Sequence, residues 1–128
     1  MKTIEVVAAV IHHNGKILAT QRGYGDFKDG WEFPGGKIEP GETATDAIVR
    51  EIREELNVTI IPEKRIATVE YDYPNFHLTM HCFFSSIREG HISLLEHEAM
   101  KWLSKDELES VAWLPADIEI IDEVRKLL

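Results

Sequence analysis

The chain has 128 residues, of which 44% are hydrophobic and 29% are charged, and its formal net charge is −9; this size and composition predict one globular domain, residues 1–128, with a sizeable core. The acidic balance argues against binding of duplex nucleic acid, which requires basic surfaces facing the phosphates. The lone Cys82 excludes an intramolecular disulfide. The sequence has neither a signal-peptide pattern nor a run of about 20 apolar residues, so we expect no membrane contact and a cytoplasmic location.

The first predicted elements are a strand, a turn and a returning strand. Residues Ile4–Ile11 form an almost continuous apolar run, which predicts a strand buried on both faces. The segment His12–Gly15 ends in an Asn-Gly pair, a strong hairpin signal, and Lys16–Gln21 is the predicted returning strand. Residues Arg22–Gly30 hold three glycines and predict a loop near a ligand, followed by a short extended piece at Trp31–Phe33.

A helix is predicted from Ala44 to Leu56. Thr43 is placed to cap its N-terminus, and Asn57 fits the left-handed conformation that often ends a helix. The side expected to face the core consists of Ile48, Val49, Ile52 and Leu56.

The same helix places three carboxylates on one stripe. At about 100° per residue, Glu51, Glu54 and Glu55 project within roughly a third of its circumference. Like charges at these spacings cost a helix about 0.2–0.5 kcal/mol per pair, so a bound cation would explain the arrangement. Oxygen ligands alone select a hard ion, and Mg²⁺, or Mn²⁺, is the expected cofactor. A solvated, Glu-rich helix face is the alternative interpretation.

More strands are predicted in the second half of the chain. They are expected around Ile60 and over Arg65–Tyr73, His77–Ile87 and Ala99–Leu103. Strands mixed with two substantial helices predict an α/β sandwich.

Helical segments are predicted near the end of the chain. Ser104 and Glu107 form a capping box for a short helix. A last amphipathic helix begins at Pro115 or Ala116. Its expected inward residues are Ile118, Ile121, Val124 and Leu128.

A motif in the middle of the chain resembles the Nudix box of the Nudix hydrolases. Gly36 is followed after five residues by Glu42, and after seven more by the run Arg50–Val58, in which Asn57 stands where the family has glycine. Asparagine also tolerates left-handed dihedral angles, so the departure is mild. A wider resemblance to the MutT-like branch is carried by Glu32–Lys37, Trp102 and Pro115–Asp117. It covers nearly the whole chain and implies a Nudix-type α/β/α sandwich with a mixed central sheet and its box at residues 36–58.

The resemblance implies roles for the residues of the motif. The metal ligands would be the Gly36 carbonyl and the side chains of Glu51, Glu54 and Glu55. Arg50 matches the arginine that holds a catalytic glutamate in place, with Glu54 as the catalytic glutamate. An ordinary i,i+4 ion pair between Arg50 and Glu54 is the alternative interpretation.

Residues outside the motif complete the implied site. Arg22 and Lys37 match phosphate-binding cations of the MutT-like branch, with solvated surface cations as the alternative. Glu96 matches a catalytic loop glutamate, which serves as an extra metal ligand or base, and its neighbours His97 and Glu98 compete for that role. The general base stays open among Glu54, Glu55, Glu96 and Glu98.

A base-binding pocket is predicted from aromatic and acidic residues. Phe33, Tyr73 and Phe76 are expected to offer a stacking face. Asp117 lies where some MutT-like enzymes have asparagine, and an ionised carboxylate only accepts hydrogen bonds. It would favour a base that presents an amino or ring N–H group, such as cytosine or guanine. A favourable charge at a helix N-terminus is the alternative interpretation of Asp117.

The implied function is Mg²⁺-dependent hydrolysis of a CTP-like or 8-oxo-dGTP-like nucleoside triphosphate to the monophosphate and pyrophosphate, which would clean the nucleotide pool. Two alternatives are a Nudix hydrolase of another nucleoside diphosphate derivative, such as an ADP-sugar or a dinucleoside polyphosphate, and a nucleotide sensor without catalysis. A sensor usually lacks a motif carboxylate, and none is missing here. The expected partner is a small nucleotide, and the chain is expected to be a monomer or a homodimer.

Overall fold

The computed structural model describes all 128 residues and contains seven strands, three helices and one 3₁₀ turn. The strands are β1 (Lys2–His13), β2 (Lys16–Arg22), β3 (Trp31–Glu32), β4 (Gly35–Lys37), β5 (Thr59–Tyr73), β6 (Phe76–Glu89) and β7 (His97–Ser104). The helices are α1 (Ala44–Leu56), α2 (Pro115–Ile118) and α3 (Ile121–Leu127), and the 3₁₀ turn spans Lys105–Glu107. None of the helices combines the length and the apolar character needed to cross a bilayer.

The strands are joined into one mixed sheet through β1. In one part of the sheet, β1 lies between β4, which is antiparallel to it, and β6, which is parallel to it, and β5 pairs with the far side of β6. In the other part, β2 lies between β3 and β7, both antiparallel to it. The β1–β2 hairpin connects the two parts through the pairs His12–Ile17 and His13–Lys16. The predicted mixed sheet is confirmed.

Alternate residues of β1 contribute to two separate hydrophobic cores. Val7 and Ile11 pack with α1 residues such as Ile52. Ala8 belongs to the opposite cluster, which includes Val124 of α3. Full burial of a side chain such as Ile52 contributes roughly 1.5–3 kcal/mol to stability. Helices therefore cover both faces of the sheet, as the predicted α/β/α sandwich requires.

Both ends of α1 are fixed by the residues predicted to cap them. The Thr43 hydroxyl accepts a hydrogen bond of 3.0 Å from the Asp46 backbone N–H. Asn57 adopts the left-handed conformation, with φ 58° and ψ 34°, and its N–H donates to the Arg53 carbonyl. These caps set where the acidic stripe begins and ends.

The C-terminal helical segment differs from its prediction. It is divided into α2 and α3 because Ile120 leaves helical geometry, with φ −105° and ψ 0°. Ile120 is only 1% exposed, whereas Ile118 is 57% exposed. The prediction that Ile118 points inward was therefore wrong, while Ile121 and Val124 are buried as expected.

The region after α1 is also more continuous than predicted. β5 runs without interruption from Thr59 to Tyr73, where two strands were expected. Its pairing with β6 changes register between Pro62 and Lys64 and again between Arg65 and Ala67. Such bulges let one strand bend instead of ending.

Candidate active site

Arg50 is the centre of the acidic face of α1. Its Nε and Nη2 groups donate to Glu42 at 2.7 and 2.9 Å. Its Nη1 group donates to Glu51 at 2.9 Å and to Glu54 at 3.1 Å. Nη2 also donates to the Lys37 carbonyl at 2.9 Å. Arg50 therefore ties the loop before α1 to the helix, and its contacts extend well beyond the i,i+4 pair with Glu54.

The ionisation of this cluster follows from its contacts. Hydrogen bonds from Arg50 and from the Glu39 backbone N–H lower the pKa of Glu42 to about 2. The pKa of Arg50 is raised, above all by its hydrogen bond to Glu42. For Glu51 burial dominates and raises the pKa, although the Arg50 contact acts in the opposite direction. Arg50 thus offsets part of the repulsion along the stripe.

Gly36 approaches Glu51 so closely that no side chain fits between them. A Cβ atom on Gly36 would lie 2.8 Å from Glu51 Oε1 and nearer still to Oε2. β4 pairs with β1 at this point, with Gly36 opposite Val7, and this pairing holds the strand beside the helix. Two of the predicted metal ligands, Gly36 and Glu51, are therefore direct neighbours.

Glu55 is the member of the stripe with an unsatisfied carboxylate oxygen. Its Oε1 atom is buried without a hydrogen-bond partner, although buried polar groups are nearly always hydrogen-bonded. Burial, together with the nearby carboxylates of Glu51 and Glu32, raises its pKa to about 9. A divalent cation would satisfy the free oxygen and favour the ionised form, so the chemistry of this group fits an oxygen-ligated metal ion.

The carboxylates of the stripe are not arranged around a common point. No three Asp, Glu, His or Cys side chains converge as a ready metal site. Glu51 and Glu54 are hydrogen-bonded to Arg50, whereas Glu55 lines a neighbouring cavity. Coordination of one ion by all three carboxylates therefore requires a change of side-chain rotamers.

Two neighbouring cavities share one wall. The first, which we call the apolar pocket, has a volume of about 140 Å³ and is lined mainly by hydrophobic side chains. The second, the polar pocket, has a volume of about 270 Å³ and is lined mainly by polar residues. Arg22, Glu32 and Gly35 line both cavities. Glu55 and Glu96 line the polar pocket, so a predicted metal ligand and the predicted loop glutamate meet there.

The apolar pocket has an aromatic wall. Tyr73 is stacked on Phe76 with ring centroids 5.0 Å apart, and Phe27 lies against Tyr73 at 5.4 Å. Phe33 lines the same pocket and is stacked on Trp113 at 4.5 Å. The structure thus brings together the three predicted aromatic residues, and their rings offer flat faces of the kind on which a nucleobase stacks.

Asp117 is buried in the wall of the apolar pocket. Its Oδ2 atom accepts a hydrogen bond of 2.9 Å from the Phe33 backbone N–H. Burial raises its pKa to about 7, and the hydrogen bond from Phe33 opposes this shift. Near neutral pH the carboxyl group is therefore partly protonated, and in that form it can donate as well as accept. Asp117 also lies in the first turn of α2, so it lies both in the pocket wall and at the start of a helix, and its position does not separate the two interpretations.

The glutamates around the start of β7 have different surroundings. Glu96 accepts a hydrogen bond of 2.6 Å from the Tyr24 hydroxyl and lines the polar pocket. Glu98 lies 3.7 Å from the Lys28 ammonium group and lines neither pocket. Of the four predicted candidates for the general base, the two that line the polar pocket are Glu55 and Glu96.

The two predicted phosphate-binding cations are also placed differently. Arg22 lines both pockets and donates to Glu32 through Nε at 3.1 Å and through Nη2 at 2.6 Å. Lys37 is exposed and lines neither pocket. Arg22 is therefore the cation that the fold places between the cavities.

Comparison with known proteins assigns the chain to a family. The sequence profile of the NUDIX domain matches residues 1–124. The chain belongs to the NUDIX family. NUDIX proteins of the hydrolase class generally need a divalent metal ion, in agreement with the unsatisfied carboxylate oxygen of Glu55.

Individual relatives match over nearly the full chain. The CTP pyrophosphohydrolase of Escherichia coli (strain K12) is 37% identical over 123 residues, which cover 95% of this chain and 91% of that protein. The 8-oxo-dGTP diphosphatase of the same strain is 31% identical over 129 residues, which cover 99% of this chain and all (100%) of that protein. The solution structure of the E. coli ORF135 protein has a TM-score of 0.85 and 36% identity, and the match covers 99% of this chain and 91% of that one. The family and fold class predicted from the sequence are confirmed.

Sequence reasoning missed several residues of the pockets of this NUDIX protein, among them Glu32, Tyr24 and Phe27. Glu32 lines both cavities and pairs with Arg22. Its signal was available, because it opens the Glu32–Lys37 segment that carries the family resemblance. Tyr24 and Phe27 come from the irregular β2–β3 loop, where no periodic pattern indicates which side chains turn toward a cavity.

Proposed function

We propose that this NUDIX protein is a nucleoside triphosphate pyrophosphohydrolase that takes Mg²⁺, or Mn²⁺, as its cofactor. The observation that carries the proposal is the pair of adjoining pockets, one apolar and aromatic, the other polar and carboxylate-lined, with Arg22 in their common wall. A nucleobase fits the first environment and a metal-bound polyphosphate fits the second. The names of the two bacterial relatives support this class of substrate. We place the enzyme in the cytoplasm as part of the same proposal, because nucleoside triphosphates are made and used there.

In this proposal the acidic stripe binds the metal. Glu51, Glu54 and Glu55, with the Gly36 carbonyl, provide an all-oxygen donor set, which suits Mg²⁺. The bound ion would neutralise charge on the phosphate oxygens as the bond to the leaving group breaks. Arg50 holds Glu51 and Glu54 next to one another through hydrogen bonds of 2.9 and 3.1 Å.

The remaining predicted residues act on the polyphosphate and the water. Arg22 lies where it can donate to phosphate oxygens from the wall between the pockets, and Lys37 assists from the exposed rim. Glu96 lines the polar pocket and is proposed as a group that accepts the proton of the attacking water, with Glu54 as the catalytic glutamate of the motif. A base in this position must lie within hydrogen-bond reach of the water it activates.

Two carboxyl groups in the apolar pocket favour particular bases. Asp117 and Glu32 both line this pocket. The ionised form of each, which for Asp117 coexists with the protonated form near neutral pH, only accepts hydrogen bonds. Cytosine and guanine carry an exocyclic amino group that can donate to them, whereas uracil and thymine carry none. We therefore propose that cytosine- or guanine-type nucleotides are preferred over uracil- and thymine-type ones, with Phe33, Tyr73 and Phe76 contacting the base.

A comparison of substrates tests both parts of this proposal. We expect kcat/KM values for CTP, dCTP and 8-oxo-dGTP to exceed the value for UTP, with the monophosphate and pyrophosphate as products and no turnover after chelation of divalent ions. Equal values for all four nucleotides would refute the assignment of the base pocket. Failure to hydrolyse any of them in the presence of Mg²⁺ or Mn²⁺ would refute the proposed activity.

A further inference from the structure

Three adjacent strands bring three polar side chains to the wall between the pockets. Arg22 at the end of β2 is paired with His97 at the start of β7. A bulge between Gln21 and Arg22 interrupts this pairing, and bulges often redirect a side chain next to a functional site. The Glu32 carboxylate of β3 lies beside both: its Oε2 atom accepts from Arg22 Nε at 3.1 Å and is 3.6 Å from His97 Nε2.

His97 is buried without a hydrogen bond of its own. Its side chain is 5% exposed, and the 3.6 Å to Glu32 exceeds hydrogen-bond distance. Its Nδ1 atom is buried and has no partner. Leaving a buried polar group unsatisfied destabilises the folded state. Since an aliphatic side chain could occupy similar space without that cost, packing alone does not explain an imidazole at this position.

The unsatisfied groups of the protein are concentrated at one cavity. Three buried side-chain atoms have no partner, namely Glu55 Oε1, His97 Nδ1 and Thr59 Oγ1. Glu55 and His97 both line the polar pocket, and Thr59 lines neither pocket. A buried polar group left unsatisfied in a native structure calls for an explanation. The other nitrogen of the His97 ring, Nε2, lies 3.6 Å from Glu32 Oε2 and shows which group of the wall the imidazole faces.

We propose that His97 is a positioning residue that acts on Arg22 through Glu32. The imidazole lies against Glu32 and limits rotation of its carboxylate, which in turn holds the guanidinium through hydrogen bonds of 2.6 and 3.1 Å. On its other side Arg22 donates from Nη1 to the Asp26 carbonyl at 2.9 Å. The guanidinium is thus clamped in the wall shared by both pockets. This inference rests on the proposed role of Arg22 in binding the polyphosphate.

The test is a double-mutant cycle read out by binding. Calorimetry would measure the Kd of α,β-methylene-CTP with Mg²⁺ for the parent, His97→Leu, Arg22→Gln and the double variant. We expect His97→Leu to weaken binding about tenfold, the lower end of the scale seen when a group that orients a metal ligand is lost, while its Tm stays equal to or above that of the parent. In the Arg22→Gln background the His97 substitution should have no further effect.

Matched variants separate positioning from packing. His97→Gln keeps a polar side chain long enough to lie against Glu32 and should bind like the parent, whereas the shorter His97→Asn should bind as weakly as His97→Leu. This pair decides the matter even if the leucine variant does not fold. Thr59→Val removes the unsatisfied hydroxyl remote from the pockets and should leave Kd unchanged.

The possible failures are distinguishable. Parent-like binding by Arg22→Gln would remove the proposed role of Arg22 itself. Two results would overturn the role of His97 alone, provided that Arg22→Gln weakens binding. One is an additive effect of His97→Leu in the Arg22→Gln background, and the other is equal affinity of His97→Gln and His97→Asn.

Discussion

Substitution of Gly36 by alanine should impair metal-dependent turnover without unfolding the protein. The added Cβ would lie 2.8 Å from Glu51 Oε1 and closer to Oε2, whereas real Cβ contacts essentially never fall below 3.0 Å. The Glu51 carboxylate must therefore shift by several tenths of an ångström. A displacement on the order of 1 Å at a catalytic centre can cost about 100-fold in rate, so we expect kcat/KM to fall about 10- to 100-fold.

The stability of the Gly36→Ala variant should change little. The clash involves the end of a flexible side chain, and replacing glycine by alanine restricts the unfolded chain by about 0.4–1 kcal/mol in favour of folding. Gly35→Ala is the matched control, because its Cβ would lie 2.8 Å from the Val7 carbonyl carbon and 2.9 Å from Ala8 Cα. Those are backbone atoms of β1, so this variant should lose cooperative folding.

The assay is pyrophosphate release from CTP at increasing Mg²⁺ concentrations, with thermal unfolding measured in parallel. Gly36→Ala should require more Mg²⁺ for half-maximal rate and unfold near the parent Tm. A parent-like Mg²⁺ dependence would refute the idea that the approach of Gly36 to Glu51 shapes the metal site. Unfolding of Gly36→Ala together with Gly35→Ala would refute the assignment of its clash to a movable side chain.

Three further predictions concern the carboxylates and their arginine. Glu54→Gln should reduce kcat by at least about 100-fold with an unchanged circular dichroism spectrum, since Glu54, as a proposed metal ligand, should matter no less than the groups that orient such ligands. Parent-like turnover would refute its role. Arg50→Lys cannot reproduce the paired hydrogen bonds to Glu42 and should lower both kcat/KM, about tenfold, and the midpoint of urea unfolding. The midpoint should fall less at pH 3 than at pH 7. The stability linked to the low pKa of Glu42 is present above the ordinary pKa of 4.5 and is lost as the pH falls toward about 2. For Asp117 the folded pKa of about 7 lies above the ordinary 3.8, so its contribution to stability is full below about pH 4 and is lost as the pH rises to 7. Between pH 5 and pH 8 the parent should therefore lose more stability than Asp117→Asn. Equal losses in urea titrations would contradict the raised pKa of this carboxyl group.

Features with local causes were predictable from the sequence. Thr43 caps α1 through its own hydroxyl, and Asn57 ends the helix in a conformation that few other residues adopt easily. Ser104 and Glu107 form the predicted capping box, with the Glu107 carboxylate accepting from the Ser104 N–H at 2.9 Å. In each case the deciding interaction lies within a few residues, so the pattern and the structure agree.

The wall between the pockets depends on long-range pairing and was not predictable in this way. Arg22, Glu32 and His97 come from β2, β3 and β7, and only the register of those strands makes them neighbours. The error at Ile118 has a related origin. Helical periodicity favoured an inward Ile118, but contacts with the rest of the fold bury Ile120 instead and interrupt the helix.

The acidic face combines two kinds of carboxylate that need different cations. Glu42 lies at one extreme, with a pKa of about 2 that Arg50 and a backbone N–H sustain. Glu55 lies at the other, with a pKa of about 9 and a buried oxygen that no group of the chain satisfies. Arg50 donates to Glu42, Glu51 and Glu54 but not to Glu55. The fold therefore supplies its own cation where the chain must be held together, and the proposed metal ion completes the site rather than the fold.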